Sequence, residues 1–436
     1  MSFLPLTHEE LRIGLFVRLN GSWFSHPFPT NTFKITTNKE LQTLRKLRKL
    51  EILWDPEKSD PEIQEENLEA LPPPVEAGEP AQVPDEAKNF PEEPPAKVDV
   101  SEAFSLYCEG YKKVDRLYRQ AFQQSKAVMQ DMSSGNIEGI EKAKEMIDGL
   151  TEILDAPDAA ASLLNVMNTN EMGQGMFLHA LNVATLSLMV GREFDFSEDE
   201  LKAVALGGLF HDIGELNVSG KILLKRPNLS PDERDIYRLH PRFGLDMVKK
   251  YGTFPKPCLD VIYQHHERLD GSGYPMGLKG LNAISVYARL VMVIDRYDDL
   301  CSDPDIEKRL TPSEALSHLF VKFKGVLWSE AIVILIRILG VYPPGSLVQL
   351  SDQTIGMVIN INTKNRLRPL VLLYTEEMST VEAVVIDLEQ HEELSITQNL
   401  RPRDLPGEVV EYLSPKRMVN YSIFNPAGEI AALPSI

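Results

Sequence analysis

The 436-residue sequence predicts a mainly α protein, a helical bundle with a small α+β N-terminal domain and a short β C-terminal appendage. Three observations carry this reading. Between residues 100 and 345, apolar stretches of helical length follow one another, opened by cap residues and closed by Gly or Pro. Before residue 58 and after residue 345, the apolar runs shorten to strand length and are set off by turn residues. Residues 59–99, between the first domain and the bundle, are rich in Pro and Glu, with Pro72-Pro73-Pro74 and Pro94-Pro95, and hold few large apolar side chains. Such a stretch cannot bury enough surface to offset its ordering entropy and reads as an extended, self-repelling linker. The expected division is therefore 1–58, 59–99, 100–345 and 346–436.

Composition narrows the function. With 43% hydrophobic and 25% charged residues, the chain is of the soluble globular class. A net charge of -19 repels nucleic acid and anionic membranes, so neither is an expected partner. Any phosphate ligand then needs a local source of positive charge, which bound metal would supply. Cys108, Cys258 and Cys301 are far apart and odd in number, which fits a reducing compartment without a disulfide framework. The first ten residues lack a basic region followed by an apolar run. No apolar run reaches spanning length, the longest candidate, 331–339, being cut by Arg337. The protein is read as cytoplasmic.

Each element has its own signal. Residues 11–19 alternate as a strand with a glycine irregularity, and Asn20-Gly21 is a hairpin turn. Asn38 caps a helix on which Leu41, Leu44, Leu47 and Leu50 recur, and residues 51–54 form a strand. From residue 100, Phe104, Tyr107, Tyr111, Val114, Tyr118 and Ala121 recur at three- and four-residue steps. This stripe is assigned to intramolecular packing, with a homodimer seam as the alternative. A second helix spans about 136–154, after Ser133-Ser134-Gly135. Residues 177–190 and 201–210 are apolar on nearly every face and read as buried helices. Residues 347–350, 356–360 and 370–374 are short strands, and residues beyond about 389 carry no functional signal.

Five of the nine histidines fall between residues 179 and 266, each on or at the end of a predicted helix. His179 lies near the start of 177–190. His211-Asp212 closes 201–210, with Gly214 as its stop. A helix opened by the capping box Ser230-Pro231-Asp232-Glu233 runs to His240, where Pro241 breaks or bends it. His265-His266 close a helix from Cys258, and a Gly-punctuated loop locked by Pro275 follows. Asp295 lies inside the apolar helix 284–300, where a carboxylate is costly to bury unless paired or metal-bound. Imidazole is the commonest transition-metal ligand, and the two oxygens of Asp212 can bridge two cations. The order His, His-Asp, His, His-His, Asp points to a metal centre. His8, His26, His318 and His391 lie outside this order and read as ordinary residues.

This order, with Gly273-Tyr274-Pro275, His211-Asp212-Ile213-Gly214, His240-Pro241 with Gly244, Gly277-Leu278-Lys279-Gly280 and Tyr342-Pro343-Pro344-Gly345-Ser346, resembles the HD-GYP family of the HD phosphohydrolase superfamily from about residue 179 to 350. Residues 20–28 resemble the uncharacterised domain that often precedes HD-GYP domains. The resemblance implies an HD-type helical bundle that hydrolyses cyclic di-GMP to pGpG, with GMP as an open further product, through water activated by two iron or manganese ions. It implies His179, His211, Asp212 and Asp295 around one metal, and Asp212, His240, His265 and His266 around the other. Asp212 is then the catalytic bridge. In the family the loop of Gly273, Tyr274 and Pro275 is also implicated in contacts with diguanylate cyclase (GGDEF) domains.

Three departures stand out. Glu215 replaces the Lys that usually follows His-Asp-x-Gly, residues 301–307 are acidic where the family has an Arg-Pro-Tyr segment, and position 175 is Gly where some members place a Glu for a third metal. The last favours two metals. The first two leave a competing reading open, a binding or scaffold module that keeps the ligands but holds phosphate poorly.

Overall fold

The computed structural model describes residues 4–7, 11–20, 32–35, 41–42, 44–45, 51–59, 100–156, 159–168, 175–226, 228–252, 254–303, 305, 307–362, 365–374, 382–418 and 422–423. The chain divides into two compact units, Met1–Ala96 and Lys97–Ile436. The expected linker beyond Ser59, the turn residue Gly21, the cap Asn38, and Leu47, Leu50, His8 and His26 lie outside the described residues.

In the first unit, β1 (Leu4–Leu6), β2 (Phe16–Asn20), β3 (Thr32–Lys34) and β4 (Glu51–Trp54) form an antiparallel sheet in the order β1-β4-β2-β3. The strand expected over 11–19 begins only at Phe16, because the chain turns at Gly14 (φ 98°), whose N–H donates to the Ile35 carbonyl at 2.8 Å. Alternation sends Val17 and Leu19 inward to meet Leu44, Ile52 and Trp54.

The second unit begins with α1 (Val100–Ser134). Its predicted stripe, Phe104, Tyr107, Tyr111, Val114, Tyr118 and Ala121, is buried. It packs within the unit against α2 (Glu138–Leu154), α3 (Ala159–Asn168) and α4 (Met176–Gly191). Helix α5 (Glu198–Phe210) starts at a capping box between Ser197 and Glu200 and lies along α4. A 3-10 turn, Ile213–Asn217, leads through α6 (Gly220–Leu224) to α7 (Pro231–Tyr237), which opens on the predicted Ser230–Glu233 box.

Two boundaries differ from expectation. Helix α7 stops at Tyr237, and His240 opens a separate helix, α8 (His240–Lys249), with Pro241 in its first turn. Proline lacks only an N–H that is unpaired there in any case, so it starts this helix rather than breaking one. Gly214 is no left-handed stop. A Cβ there would lie 1.9 Å from the His240 carbonyl oxygen and 2.4 Å from the Gly244 nitrogen, so the missing side chain lets α8 close onto the turn.

Helices α9 (Lys256–Gln264), α10 (Val286–Cys301), α11 (Pro312–Lys322) and α12 (Ser329–Leu339) complete the bundle. The three expected C-terminal strands are β5 (Leu347–Leu350), β6 (Ile355–Asn360) and β7 (Leu370–Leu373). They are joined by β8 (Glu382–Asp387), β9 (Ile396–Leu400) and β10 (Ser422–Ile423) in a sheet of order β10-β8-β7-β6-β5-β9. Among the described residues the β10–β8 pair is parallel and the other pairs are antiparallel. Short helices α13 (Gly407–Tyr412) and α14 (Pro415–Met418) precede β10. Side-chain amides tie sheet to bundle: Asn165 Nδ2 donates to the Ile359 carbonyl at 2.9 Å and Asn168 Nδ2 to that of Pro344 at 2.7 Å. Among the described residues, no helix is long and apolar enough to cross a membrane.

Candidate metal centre

Five segments deliver the predicted residues to one point. His179 comes from the first turn of α4, His211 and Asp212 from the end of α5, His240 from the start of α8, His265 and His266 from the end of α9, and Asp295 from the middle of α10. Donor atoms of Asp212, His240, His265 and His266 lie within 4.8 Å of one another, as do those of His179, His211 and Asp212. Asp295 Oδ1 is 3.2 Å from His179 Nε2 and 3.7 Å from His211 Nε2. All seven residues therefore converge, in two nests that share Asp212.

Backbone carbonyls fix how the imidazoles face. His211 Nδ1 donates to Gly208 O at 2.7 Å, His240 Nδ1 to Tyr237 O at 2.9 Å, and His265 Nδ1 to Ile262 O at 3.0 Å. A carbonyl only accepts, so Nδ1 carries a proton and each ring turns its Nε2 inward. His240 Nε2 and His265 Nε2 then meet at 3.3 Å, a lone-pair encounter that a cation between them would relieve. Asp212 straddles the nests, with Oδ1 3.2 Å from His240 Nε2 and Oδ2 3.3 Å from His211 Nε2. Asp212 Oδ1 and His266 Nε2 are buried without a hydrogen-bond partner. Buried polar atoms are rarely left so, and this donor set of imidazoles and carboxylates fits divalent transition metals.

Electrostatics agree with the geometry. Burial alone would raise the Asp212 carboxyl, but His211, His240 and His265 outweigh it and hold its pKa well below the usual range. Burial opposes charge on His179 and His211 too, yet Asp295 and Asp298 raise His179 well above the ordinary value, and Asp212 and Asp295 lift His211 to about 9. Burial, reinforced by His265 and His240, pushes His266 well below its ordinary value and keeps it neutral.

Several partners were not read from the sequence. Asp298 Oδ2 accepts from His179 Nδ1 at 2.7 Å, and its Oδ1 accepts from Asn182 Nδ2 at 2.8 Å. Asn182 Oδ1 in turn accepts from the Tyr118 hydroxyl of α1. Such an outer carboxylate orients a ligating imidazole, and Asp298, one turn beyond Asp295 on α10, was the only spacing signal for it. Asp299 joins His179 and Asp295 in a third donor grouping, so a carboxylate stands near this nest although position 175 is Gly. Glu215 does not face the centre as a bare anion. It is buried, both its oxygens are held at 2.8 Å by Arg226, and the Tyr237 hydroxyl donates to Oε1 at 2.8 Å.

The loop after α9 is held from within. Glu267 is fully buried, and its Oε1 and Oε2 accept the amides of Met276 at 2.7 Å and Leu278 at 2.8 Å. A Cβ on Gly273 would lie 2.4 Å from the Arg268 nitrogen, so only glycine lets the loop fold back. The Tyr274 ring then lies against His266, centroids 4.6 Å apart, with the Arg238 guanidinium 5.4 Å from its centroid. The His318 ring lies tilted beside that of Phe323, centroids 5.8 Å apart, and His391 pairs with Glu393 at 3.1 Å, both apart from the seven.

The HD domain model matches residues 151–322, and a domain of unknown function (DUF3391) matches residues 6–143. A cyclic di-GMP phosphodiesterase of Pseudomonas aeruginosa is 28% identical over 87% of this chain and 86% of its own. A cyclic di-GMP phosphodiesterase response regulator of Xanthomonas campestris is 30% identical over 38% of this chain and 43% of its own. These matches support the resemblance to the HD-GYP family. A third relative, a 3'3'-cGAMP-specific phosphodiesterase of Vibrio cholerae, is 34% identical over 35% of this chain and 34% of its own. The DUF3391 match extends the N-terminal resemblance beyond residue 58, across the stretch read as linker and through α1.

Proposed function

We propose that this chain is a metal-dependent phosphodiesterase of the HD-GYP family that opens cyclic di-GMP to linear pGpG, with GMP as the further product to be sought. The observation that carries the reading is the inward convergence of seven donor residues, with His240 Nε2 and His265 Nε2 3.3 Å apart and Asp212 Oδ1 and His266 Nε2 left unpartnered. His179, His211, Asp212 and Asp295 would hold one divalent ion, and Asp212, His240, His265 and His266 the other. Two such ions, iron or manganese, supply acidified water and compensate phosphodiester charge when bound.

The chain's own residues do the positioning. Carbonyls of Gly208, Tyr237 and Ile262 lock three imidazoles, Asp298 locks a fourth, and Asp212 ties the two nests into one. Arg226 neutralises Glu215, so the acidic replacement adds no bare charge where phosphate would lie. Arg268 lies within electrostatic reach of Asp295 and Tyr274, and Arg238 flanks the same tyrosine. These guanidinium groups stand in for the basic positions this chain lacks. The Gly273, Tyr274 and Pro275 loop is then both wall of the substrate site and the surface a diguanylate cyclase (GGDEF) domain would meet.

The test is turnover. Protein purified anaerobically with iron or manganese is incubated with cyclic di-GMP beside an Asp212→Ala control and followed by chromatography. Conversion to pGpG that the control lacks supports the enzyme. Binding without turnover in metal-loaded protein would replace it with the scaffold reading, and preferential turnover of 3'3'-cGAMP would move the substrate.

A further inference from the structure

We propose that the unit Lys97–Ile436 carries a second ligand site, a cavity of about 530 Å³ between bundle and C-terminal sheet, built for a small amphipathic acid with an apolar body and one anionic head. The volume is that of a small-molecule site, and such sites combine apolar walls with a few placed polar groups. Leu186 of α4, Met357 of β6 and Leu413, at the end of α13, supply the apolar wall.

Charge points to an occupant. In a chain of net charge -19, the lining residues include Arg309, Arg401 and Arg403, and Asp298 is the only acid among them. Arg401 pairs with Glu314 and Arg403 with the exposed Glu307, each at 2.8 Å. Pairs of this kind at a surface are weak, and a guanidinium with five donors can accept a ligand carboxylate in addition or in exchange.

The cavity shares a wall with the metal centre. Asp298 and Asn182 line it, and Asp298 is the group that holds His179 Nδ1. An occupant that bears on Asp298 therefore bears on the orientation of His179. This coupling rests on the metal-centre reading; the binding itself does not.

Calorimetric titration of the full chain with decanoate, decanol and phenylacetate tests the site. Decanoate is expected to bind saturably with one equivalent, about tenfold more tightly than decanol, since a charge-assisted hydrogen bond is worth about that factor. The double variant Arg401→Gln/Arg403→Gln, on partly exposed side chains, should erase the preference. Phenylacetate binding in place of decanoate sustains the site and selects an aromatic body. Absence of saturable binding by either acid, equal binding of the alcohol, indifference to the arginine substitutions, or displacement by cyclic di-GMP overturns it. Manganese affinity should shift in decanoate-saturated protein and not in the double variant. Unchanged manganese affinity beside saturable binding overturns the coupling alone.

Discussion

Arg226 forks onto Glu215, its Nη1 and Nη2 each 2.8 Å from a carboxylate oxygen, immediately after the His211-Asp212 pair. The carboxylate is almost fully buried, while the guanidinium side chain is 39% exposed. Replacing one member leaves the other uncompensated, a cost that buried pairs put at several kcal/mol and that partial exposure reduces. Glu215→Lys, which installs the residue more usual in the family, should therefore destabilise this chain by about 2 kcal/mol. The exchange Glu215→Lys/Arg226→Glu should recover most of it. Urea unfolding of the two variants checks the claim, and equal loss in both would show that the pair is not a unit.

Asp298 acts on the centre only through His179, whose Nδ1 it holds at 2.7 Å. Asp298→Asn keeps the size and a hydrogen bond but removes the charge that makes the imidazole a stronger donor. Losses of about 10–100-fold in metal affinity follow from removing such partners. Manganese titration should show weaker binding at an unchanged stoichiometry, with secondary structure intact by circular dichroism. Wild-type affinity in the variant would reduce Asp298 to a packing residue.

The seven converging residues were legible because histidine and aspartate are rare inside apolar helices, and their order survives in one dimension. What held them was not. Asp298 and Asn182 belong to different helices, and Arg226 reaches Glu215 across eleven residues, so each acquires its role only when the bundle closes. Gly214 and Pro241 were visible as punctuation, but punctuation has more than one cause. Gly214 makes room for the His240 carbonyl, and Pro241 starts a helix. Of the C-terminal sheet, β5, β6 and β7 were read from the sequence, while β8 was missed despite its apolar Val384, Val385 and Ile386. β9 shows no buried position and β10 spans two residues, so neither has an inward-facing pattern to read.

Protonation and metal compete for the same atoms. In the metal-free protein Asp212 and Asp295 hold the His211 pKa at about 9, and His179 is raised too. Both rings are therefore protonated at neutral pH, and a bound cation must displace those protons. Manganese affinity should rise with pH and level off above about 9. The metal-free fold has the opposite slope. A folded pKa above the ordinary imidazole value gives stability that is present below about 6.5 and lost as pH climbs through the folded value. Titrations in buffers of different ionisation enthalpy should report proton release that falls as pH approaches that limit. Release of no protons at pH 7 would mean the rings are neutral before metal arrives.

Glu267 has no place among the seven donors, yet the loop depends on it. Its two oxygens accept the amides of Met276 and Leu278, and it is fully buried. Removing the acceptor leaves two amides to find water or stay unpaired, at about 1–3 kcal/mol each. Glu267→Ala should thus free the segment from Tyr274 to Leu278, and hydrogen exchange at the Met276 and Leu278 amides should accelerate ahead of the bundle. Glu267→Gln keeps one carbonyl acceptor and should protect one amide more than the other. Because the Tyr274 amide donates to the His266 carbonyl at 3.1 Å and its ring covers that imidazole, a loosened loop should also weaken metal binding at the nest of His240, His265 and His266. Exchange rates unchanged in Glu267→Ala would mean that the backbone of the loop, with Gly273 folded against Arg268, holds its shape without the carboxylate.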